Sequence, residues 1–375
     1  MPERSRPLKV VQLSFHADHQ RRDAESLMSA WPTMTAVAEA VARVGVDLTV
    51  VQAAHADEMV RQNGVEYHFV KDEKARRSRV AQRVASLSPD VVHVQGLHHG
   101  RAVHSLTRAL RGTPVLVQDH GNIEPRGWRR TALRWAFRSI DAVAFTVKDQ
   151  AAPWIAAGVL GSNLPVFDVL GGSSRFTPGD QREAQKATRV FGDPCVLWTS
   201  RLDSNKDPLM MLEAIERSAP RVRDLRLWCC FGSAPLQRIV QARIAASDIL
   251  RARVVLLGAR PHDEIERLFR AADFFIQTSH REASGFSLLE AMSCGTPPIV
   301  TDIPPSRRIV GDAGSLTPVG DAERMSDALV DYAARDRARL RSAARARFER
   351  SLTFDAIGQE LRSIYESLLG AWRRS

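Results

Sequence analysis

The sequence predicts an α/β protein that contains two doubly wound parallel sheets. Short apolar runs rich in β-branched residues alternate with amphipathic segments of about 10–15 residues, which is the pattern of βαβ units. This alternation occurs in two successive series along the chain. The length of 375 residues also favours two domains, since a single core stops growing well below that size.

The first series contains seven candidate strands. They lie at residues 9–15, 47–53, 65–70, 90–95, 114–119, 142–147 and 166–170. The segments with helical spacing between them are residues 34–44, 78–87 and 129–139. This series predicts the first domain, residues 1–172.

The second series contains five candidate strands, followed by a C-terminal helix. The strands lie at residues 195–200, 226–231, 253–257, 274–278 and 298–301, with helices predicted at 208–217, 236–246, 263–272 and 286–293. The stretch G-G-S-S-R-F-T-P-G-D, residues 171–180, is poor in apolar residues and predicts the boundary. We therefore expect a second domain at 173–352, and a helical segment at 353–375 that packs back toward the first domain.

Composition narrows the class of protein. The chain is 44% hydrophobic and 26% charged, as in soluble globular proteins, and no run of about 18 apolar residues predicts a transmembrane helix. The first apolar run is short and is followed by His16 and Asp18, so it predicts a strand and not a signal peptide. Four cysteines without metal-ligand or disulfide spacing predict buried thiols and a cytoplasmic location.

The positive charge is concentrated in one window. From Lys74 to Arg138 there are 13 Lys and Arg residues against three acids, a net charge of +10 that equals the charge of the whole chain. Trp128 and Trp135 lie in its most basic part. One interpretation is a solvated arginine-rich helix face. The other is a surface for anionic partners, such as the inner face of a membrane or an acidic acceptor. No nucleic-acid-binding motif is present, so no nucleic-acid partner is predicted.

Charged residues follow two strands of the second series. Arg201 and Lys206 follow the strand at 195–200, and Glu282 and Glu290 flank the start of the helix at 286–293. Ligands of open α/β sheets bind beyond the carboxyl ends of the strands. A helix N-terminus there offers free N–H groups to an anion.

The order along this segment is a carboxylate, a phosphate-binding helix end and a second carboxylate. A nucleotide-sugar has the matching order of sugar hydroxyls, diphosphate and ribose hydroxyls, and carboxylates are strong acceptors for hydroxyls. The segment therefore predicts a nucleotide-sugar site.

Several motifs resemble those of the retaining glycosyltransferases of family 4, also called group 1. The second-half motifs are H-R-E-A-S-G-F-S-L-L-E-A-M-S-C-G-T-P-P-I-V, S-R-L-D-S-N-K-D-P and V-V-L-L-G, and the first-half motifs are P-D-V-V-H-V-Q-G-L-H-H and P-V-L-V-Q-D-H-G-N. The resemblance implies a GT-B fold, with two Rossmann-like domains that face a central cleft. It also implies an N-terminal acceptor domain and a C-terminal donor domain.

The resemblance implies roles for individual residues. Glu282 and His120 would contact the donor sugar at the reacting end, and Glu290 would bind the ribose. The remaining donor-binding positions would hold the diphosphate and the base: Arg201, Lys206, Gly258, Gly285, Phe286, Ser287 and Leu288. No obligatory metal or other cofactor is implied. We favour a UDP-sugar over GDP-mannose as the donor.

The chain departs from the family pattern on the acceptor side. The loop after the first strand, L-S-F-H-A-D-H-Q-R-R, lacks the usual Gly-Gly, and G-G-S-S replaces the usual Asn-Gly-Val-Asp. Candidate acceptor-side residues are His16, Asp18 and Asn122.

Four further histidines of the first half are candidates for a zinc site: His93, His98, His99 and His104. We expect no metal there, and we expect His93 to be a core residue, because it lies between two valines of a strand.

The sequence therefore predicts a hexosyltransferase of cell-surface glycan or glycolipid synthesis. Two alternatives stay open. One is a nucleotide-sugar epimerase or hydrolase on the same fold. The other is a nucleotide-sugar-binding protein without catalysis, which the missing Gly-Gly suggests.

Overall fold

The computed structural model describes residues 6–71, 79–110, 112–121 and 124–374. The chain forms two compact units. Unit 1 is Met1–Gly172 together with Phe354–Ser375, and unit 2 is Ser173–Thr353.

Unit 1 contains an eight-stranded sheet. Its strands are β1 (Lys9–Ser14), β2 (Asp47–Ala54), β3 (Glu58–Gln62), β4 (Val65–Lys71), β5 (Val91–Gln95), β6 (Val115–Gln118), β7 (Ala142–Phe145) and β8 (Val166–Asp168). The strand order is β3-β4-β2-β1-β5-β6-β7-β8. All neighbouring pairs are parallel except the pair of β3 and β4.

The helices of the N-terminal half connect these strands. They are α1 (Ala24–Ala30), α2 (Pro32–Arg43), α3 (Arg79–Ser86), α4 (Gly100–Ala109), α5 (Trp128–Ala136) and α6 (Ala152–Ala156). Short 3₁₀ turns at Phe137–Ser139 and Lys148–Ala151 follow α5 and β7.

Unit 2 contains a six-stranded parallel sheet. Its strands are β9 (Cys195–Thr199), β10 (Arg226–Cys230), β11 (Val254–Gly258), β12 (Phe274–Gln277), β13 (Pro298–Thr301) and β14 (Ser315–Thr317), in the order β11-β10-β9-β12-β13-β14. Its helices are α7 (Gln181–Thr188), α8 (Pro208–Ser218), α9 (Gln237–Ala245), α10 (Asp248–Arg253), α11 (His262–Ala271), α12 (Phe286–Ser293), α13 (Pro304–Val310), α14 (Ala322–Ala334) and α15 (Arg337–Ser351). The last helix of the chain, α16 (Phe354–Trp372), belongs to unit 1.

The predicted α/β class with two doubly wound parallel sheets is confirmed. Every strand predicted from the sequence is present, with ends that differ by a few residues. Strands β3 and β14 were not predicted. β3 is an exposed antiparallel edge strand with one partly buried residue, so its sequence E-M-V-R-Q carries no apolar alternation.

Both sheets are buried on two faces, because helices cover them. The central strands β1, β5, β6 and β7 are almost continuously buried, as parallel strands require. The four cysteines are buried and unpaired, which confirms that part of the sequence prediction. Among the described residues, no helix combines the length and the apolar character needed to cross a membrane.

Helix α16 packs against α2 and reaches the centre of the first sheet. The Tyr365 hydroxyl lies 2.7 Å from His93 Nδ1 and 3.3 Å from Gln12 Nε2, which donates to it. His93 is fully buried, so the prediction of a core histidine is confirmed. Burial lowers the pKa of His93 to about 3, with a smaller contribution from the charge of His120.

The contact between α16 and α2 requires a glycine at position 358. A Cβ atom there would lie 2.6 Å from the Ala40 carbonyl oxygen, closer than such atoms approach. We expect Gly358→Ala to destabilise unit 1 by about 1–3 kcal/mol, the usual cost of overpacking. Urea unfolding followed by circular dichroism measures this change.

Gly370→Ala in the same helix is the matched control. Its Cβ would meet only the end of the Arg374 side chain, at 3.7 Å. Here the better helix propensity of alanine should leave stability unchanged or raise it by up to about 1 kcal/mol. Equal effects of the two substitutions would refute the close contact of α16 with α2.

Candidate active site

The loops that follow β9 and β12 are joined by hydrogen bonds. The two strands are neighbours in the sheet and parallel, so their carboxyl ends meet at one edge. The backbone N–H of His280 donates to the Asn205 carbonyl at 2.8 Å, and the Thr278 hydroxyl donates to the Lys206 carbonyl at 2.7 Å. Asn205 Nδ2 donates to the Arg281 carbonyl at 3.0 Å. The local backbone is therefore fixed on both sides of the site.

Lys206 and Glu282 form an ion pair at this edge. The Lys206 ammonium donates to Glu282 Oε1, and the side chains are only 12% and 14% exposed. The same oxygen accepts hydrogen bonds from Gln277 Nε2 at 2.6 Å and from the Ser279 hydroxyl at 2.7 Å. Several donors thus orient one carboxylate, which presets its position before any ligand binds.

The sequence analysis predicted neither this ion pair nor two of the side chains that bond to it. The sequence placed Lys206 at a diphosphate and Glu282 at a sugar, without a contact between them. Gln277 and Ser279 were not singled out, although both lie within three residues of the end of a buried strand, where such residues are expected.

Helix α12 starts beside this ion pair, and its bounds are those predicted from the sequence. Its N-cap is Gly285, in the left-handed conformation at φ 62°. Because glycine has no side chain, no side-chain hydrogen bond caps this helix. The Leu288 N–H donates to the Gly285 carbonyl at 3.0 Å, so it is already engaged. The first-turn N–H groups of Phe286 and Ser287 are therefore the better donors for an anion at this end.

Arg201 lies just beyond β9 and is more exposed than Lys206. Its side chain is 60% exposed, and its Nε atom lies 3.1 Å from Asp203 Oδ2. An exposed pair of this kind contributes little stability, so the guanidinium can exchange partners at low cost.

Glu290 lies one turn inside α12 and contacts a residue that the sequence analysis missed. His262 Nε2 lies 3.1 Å from Glu290 Oε1. This hydrogen bond raises the pKa of His262, against a smaller effect of burial. His262 begins α11, four residues after Gly258 ends β11, and its ring lies 4.6 Å from that of Phe176. The sequence feature that could have indicated His262 as a site residue is its position just after a strand, in the segment R-P-H.

In unit 1, His120 follows β6. Its Nε2 atom lies 2.5 Å from Gln95 Oε1, at the end of the neighbouring β5. Desolvation, and then the charge of His98, lowers the pKa of His120. The neutral imidazole therefore prevails at neutral pH.

The acceptor-side candidates lie mostly in the loop after β1. The carboxylate of Asp18 accepts hydrogen bonds from the Arg22 backbone N–H at 3.0 Å and from its guanidinium at 3.3 Å, and the first of these lowers its pKa. His16 is exposed and its ring lies 5.8 Å from that of Trp31. Asn122 lies outside the described residues.

The four histidines that the sequence suggested as candidate zinc ligands do not come together as one group. His93 is in the core, and His104 stacks on Trp135 with ring centroids 3.7 Å apart. His98 and His99 instead lie beside His16, and one nitrogen of each of these three lies within 4.8 Å of the others.

The part of the basic window that the structure describes includes helix α5. This helix exposes Trp128 and Trp135, which are 71% and 52% accessible. Arg129, Arg130 and Arg134 are exposed on the same helix. Helix α5 therefore exposes aromatic and cationic side chains together.

Solved structures share this fold. The structure of a sucrose-phosphate synthase from Thermosynechococcus elongatus aligns over 97% of this chain and 100% of that chain, with a TM-score of 0.67 and 16% identity. A structure of Anabaena Alr3699/HepE in complex with UDP aligns over 96% and 100%, with a TM-score of 0.69 and 18% identity. The protein therefore has the GT-B fold.

A family model matches most of unit 2. Residues 180–347 match the model of the family described as Glycosyl transferases group 1. This match confirms the resemblance inferred from the motifs.

Curated relatives that match this chain have the names of glycosyltransferases. D-inositol 3-phosphate glycosyltransferase of Corynebacterium diphtheriae is 28% identical over 51% of this chain and 47% of its own length. GDP-mannose:cellobiosyl-diphosphopolyprenol alpha-mannosyltransferase of Xanthomonas oryzae pv. oryzae is 25% identical over 60% of each chain. The first of these relatives is matched over about half of its length.

Proposed function

We propose that the protein is a retaining glycosyltransferase that moves a hexose from a nucleotide-diphosphate sugar to an acceptor. The observation that carries the proposal is the Lys206–Glu282 pair beside the N-terminus of α12, with Glu290 one turn inside that helix. A cation and helix N–H groups suit the diphosphate of a nucleotide-sugar, and the two carboxylates suit the hydroxyls of its sugar and of its ribose. The protein groups follow one another in the same order as these parts of the ligand.

The diphosphate is the leaving group, and its charge increases as the glycosidic bond breaks. Lys206, Arg201 and the first-turn N–H groups of α12 would bind its oxygens. Groups that stabilise charge developed in the transition state provide the largest catalytic contribution available to such a site. We propose that this set needs no divalent cation to neutralise the diphosphate.

Glu282 would accept hydrogen bonds from hydroxyls of the donor sugar. Gln277 and Ser279 hold the carboxylate while Lys206 turns from it to the phosphate oxygens. Donor binding then replaces one partner of Glu282 with another, so the carboxylate is not left without donors. Glu290 would bind the ribose hydroxyls in the same way, in exchange for His262.

A phosphate-bearing or lipid-linked acceptor fits the charge of unit 1. Both relatives named above have a phosphate group in the acceptor part of their names. The net charge of +10 between Lys74 and Arg138 favours such an anion electrostatically. We favour a UDP-sugar as donor, and GDP-mannose remains the second candidate.

The proposal is tested by incubating the protein with nucleotide-sugars and extracted glycolipids and by following labelled sugar into product. The configuration of the product anomeric carbon, read by NMR, tests retention. A parallel incubation without acceptor separates the alternatives. Rapid epimerisation or stoichiometric hydrolysis of the donor would contradict a transferase, and binding without turnover on any acceptor would favour the non-catalytic protein.

We also propose that α5 binds anionic membrane surfaces. Each cation near such a surface contributes about 1 kcal/mol, and exposed tryptophans favour the interface. We expect flotation with anionic vesicles at low salt, and loss of binding in the variant Arg129→Glu/Arg134→Glu.

The charge-matched control for this prediction is Arg339→Glu/Arg350→Glu, on exposed positions of α15 in unit 2. It changes the net charge equally and should keep most of the binding. If both variants lose binding alike, net charge and not α5 is responsible. If the unaltered protein does not float at low salt, the membrane proposal is wrong.

A further inference from the structure

We propose that His16, His98 and His99 form a binding site for a divalent transition-metal ion, with Zn²⁺ as the physiological occupant. One ring nitrogen from each histidine lies within 4.8 Å of the other two. His16 follows the end of β1, and His98 and His99 follow the end of β5. These strands are parallel neighbours, so the fold brings the two loops to the same edge of the first sheet.

The spacing is close to that of a metal site. Nitrogen ligands at about 2.0–2.1 Å from a tetrahedral zinc ion lie about 3.3 Å from one another. The three nitrogens must therefore approach one another by no more than about 1.5 Å. His16 and His98 are exposed, so rotation of their side chains can supply this movement.

Gly96 places the His98 ring in this group. A Cβ atom at position 96 would lie 2.9 Å from His98 Cε1, and the φ angle of 93° also favours glycine. The rings of His98 and His99 have centroids 3.9 Å apart.

A second, independent observation concerns His99. Its Nε2 atom is buried and has no hydrogen-bond partner among the described residues. An unsatisfied buried polar atom costs about 1–3 kcal/mol and is uncommon in native proteins. A bound metal ion would provide the missing partner.

The donor set selects the class of metal. Three imidazole nitrogens suit Zn²⁺, Ni²⁺, Co²⁺ or Cu²⁺, whereas Mg²⁺ and Ca²⁺ prefer oxygen ligands. Three protein ligands also leave a coordination position for water or another ligand, as in zinc sites that are not purely structural. The site belongs to unit 1 and does not depend on the proposed nucleotide-sugar chemistry of unit 2.

Calorimetric titration of the protein, prepared without a histidine tag, tests the site. We expect one Zn²⁺ per chain and no binding of Mg²⁺, and Co²⁺ should give the strong visible absorption of a tetrahedral site. His16→Ala and His99→Ala should each lower the Zn²⁺ affinity by at least about tenfold, since even residues that only support a ligand contribute 10–100-fold.

His19→Ala is the control, because His19 is an exposed histidine of the same loop with its ring 5.6 Å from that of His16. It should change the affinity by less than about twofold, below the smallest effect expected for a ligand. The absence of stoichiometric Zn²⁺ binding, or a loss in His19→Ala as large as in His16→Ala, would overturn the assignment. Both titrations omit donor and acceptor, so the result is independent of the glycosyl transfer.

Discussion

Replacing Glu282 by glutamine is expected to lower kcat for sugar transfer by about 100-fold or more, the scale for loss of one preorganised transition-state interaction. Glutamine keeps the size of the side chain and one oxygen acceptor but removes the charge. Its amide also faces the donors Gln277 Nε2 and Ser279 Oγ, which now hold the carboxylate. Binding of the nucleoside diphosphate alone should persist, because the proposed role of Glu282 is at the sugar.

Steady-state kinetics and calorimetry on the same preparations separate these two effects. Glu213→Gln is the matched control, since Glu213 is a half-exposed residue of α8 that pairs with Arg217 on its own helix. Its rate should be unchanged. A parallel loss of diphosphate affinity and rate in Glu282→Gln would contradict a sugar-contacting role.

Replacing Lys206 by methionine is expected to weaken nucleoside diphosphate binding by about 1.5–3 kcal/mol, or roughly 10–150-fold, the scale of hydrogen bonds to charged groups. Methionine retains the length and apolar stem of lysine. It also leaves Glu282 without its cation and closer to the phosphates, which adds repulsion in the same direction.

The exposed Lys186 of α7 provides the control Lys186→Met, which should bind the diphosphate as the unaltered protein does. The double variant Glu282→Gln/Lys206→Met measures the coupling of the pair. Because the two side chains are in contact, their effects should not be additive. An unchanged dissociation constant in Lys206→Met would remove Lys206 from the diphosphate site.

Helix α12 could be predicted from the sequence to both of its ends. Gly285 precedes the helix, Gly295 and Pro297 follow it, and Leu288 and Met292 form its buried face. All of these signals lie in the helix or next to it, so its ends can be predicted without knowledge of the rest of the fold. The association of Lys206 with Glu282 could not be predicted in this way. The residues are 76 positions apart, and their contact depends on the adjacency of β9 and β12, which no local pattern encodes.

The same reason explains the histidine group in unit 1. His98 and His99 were noticed because they are adjacent, but they were grouped with neighbours along the chain. Their spatial partner His16 comes from the loop of another strand, and only the sheet order brings it near.

Helix α15 shows a different limit of sequence analysis. Its arginine-rich sequence lacks an apolar stripe, with only Ala344 and Phe348 buried. Its arginines instead satisfy carbonyl groups at the ends of other elements: Arg341 Nη1 donates to Ala272 at 2.8 Å, and Arg345 donates to Ser293. A helix that packs through hydrogen bonds to carbonyl groups shows no hydrophobic periodicity in its sequence.

The most direct test of the nucleotide-sugar site is a calorimetric titration of UDP, GDP and ADP into the unaltered protein and into Lys206→Met. Our account predicts that one of the three, UDP by preference, binds with one-to-one stoichiometry and that Lys206→Met weakens this binding at least about tenfold. Failure of all three nucleotides to bind, or equal binding to both proteins, would contradict the account.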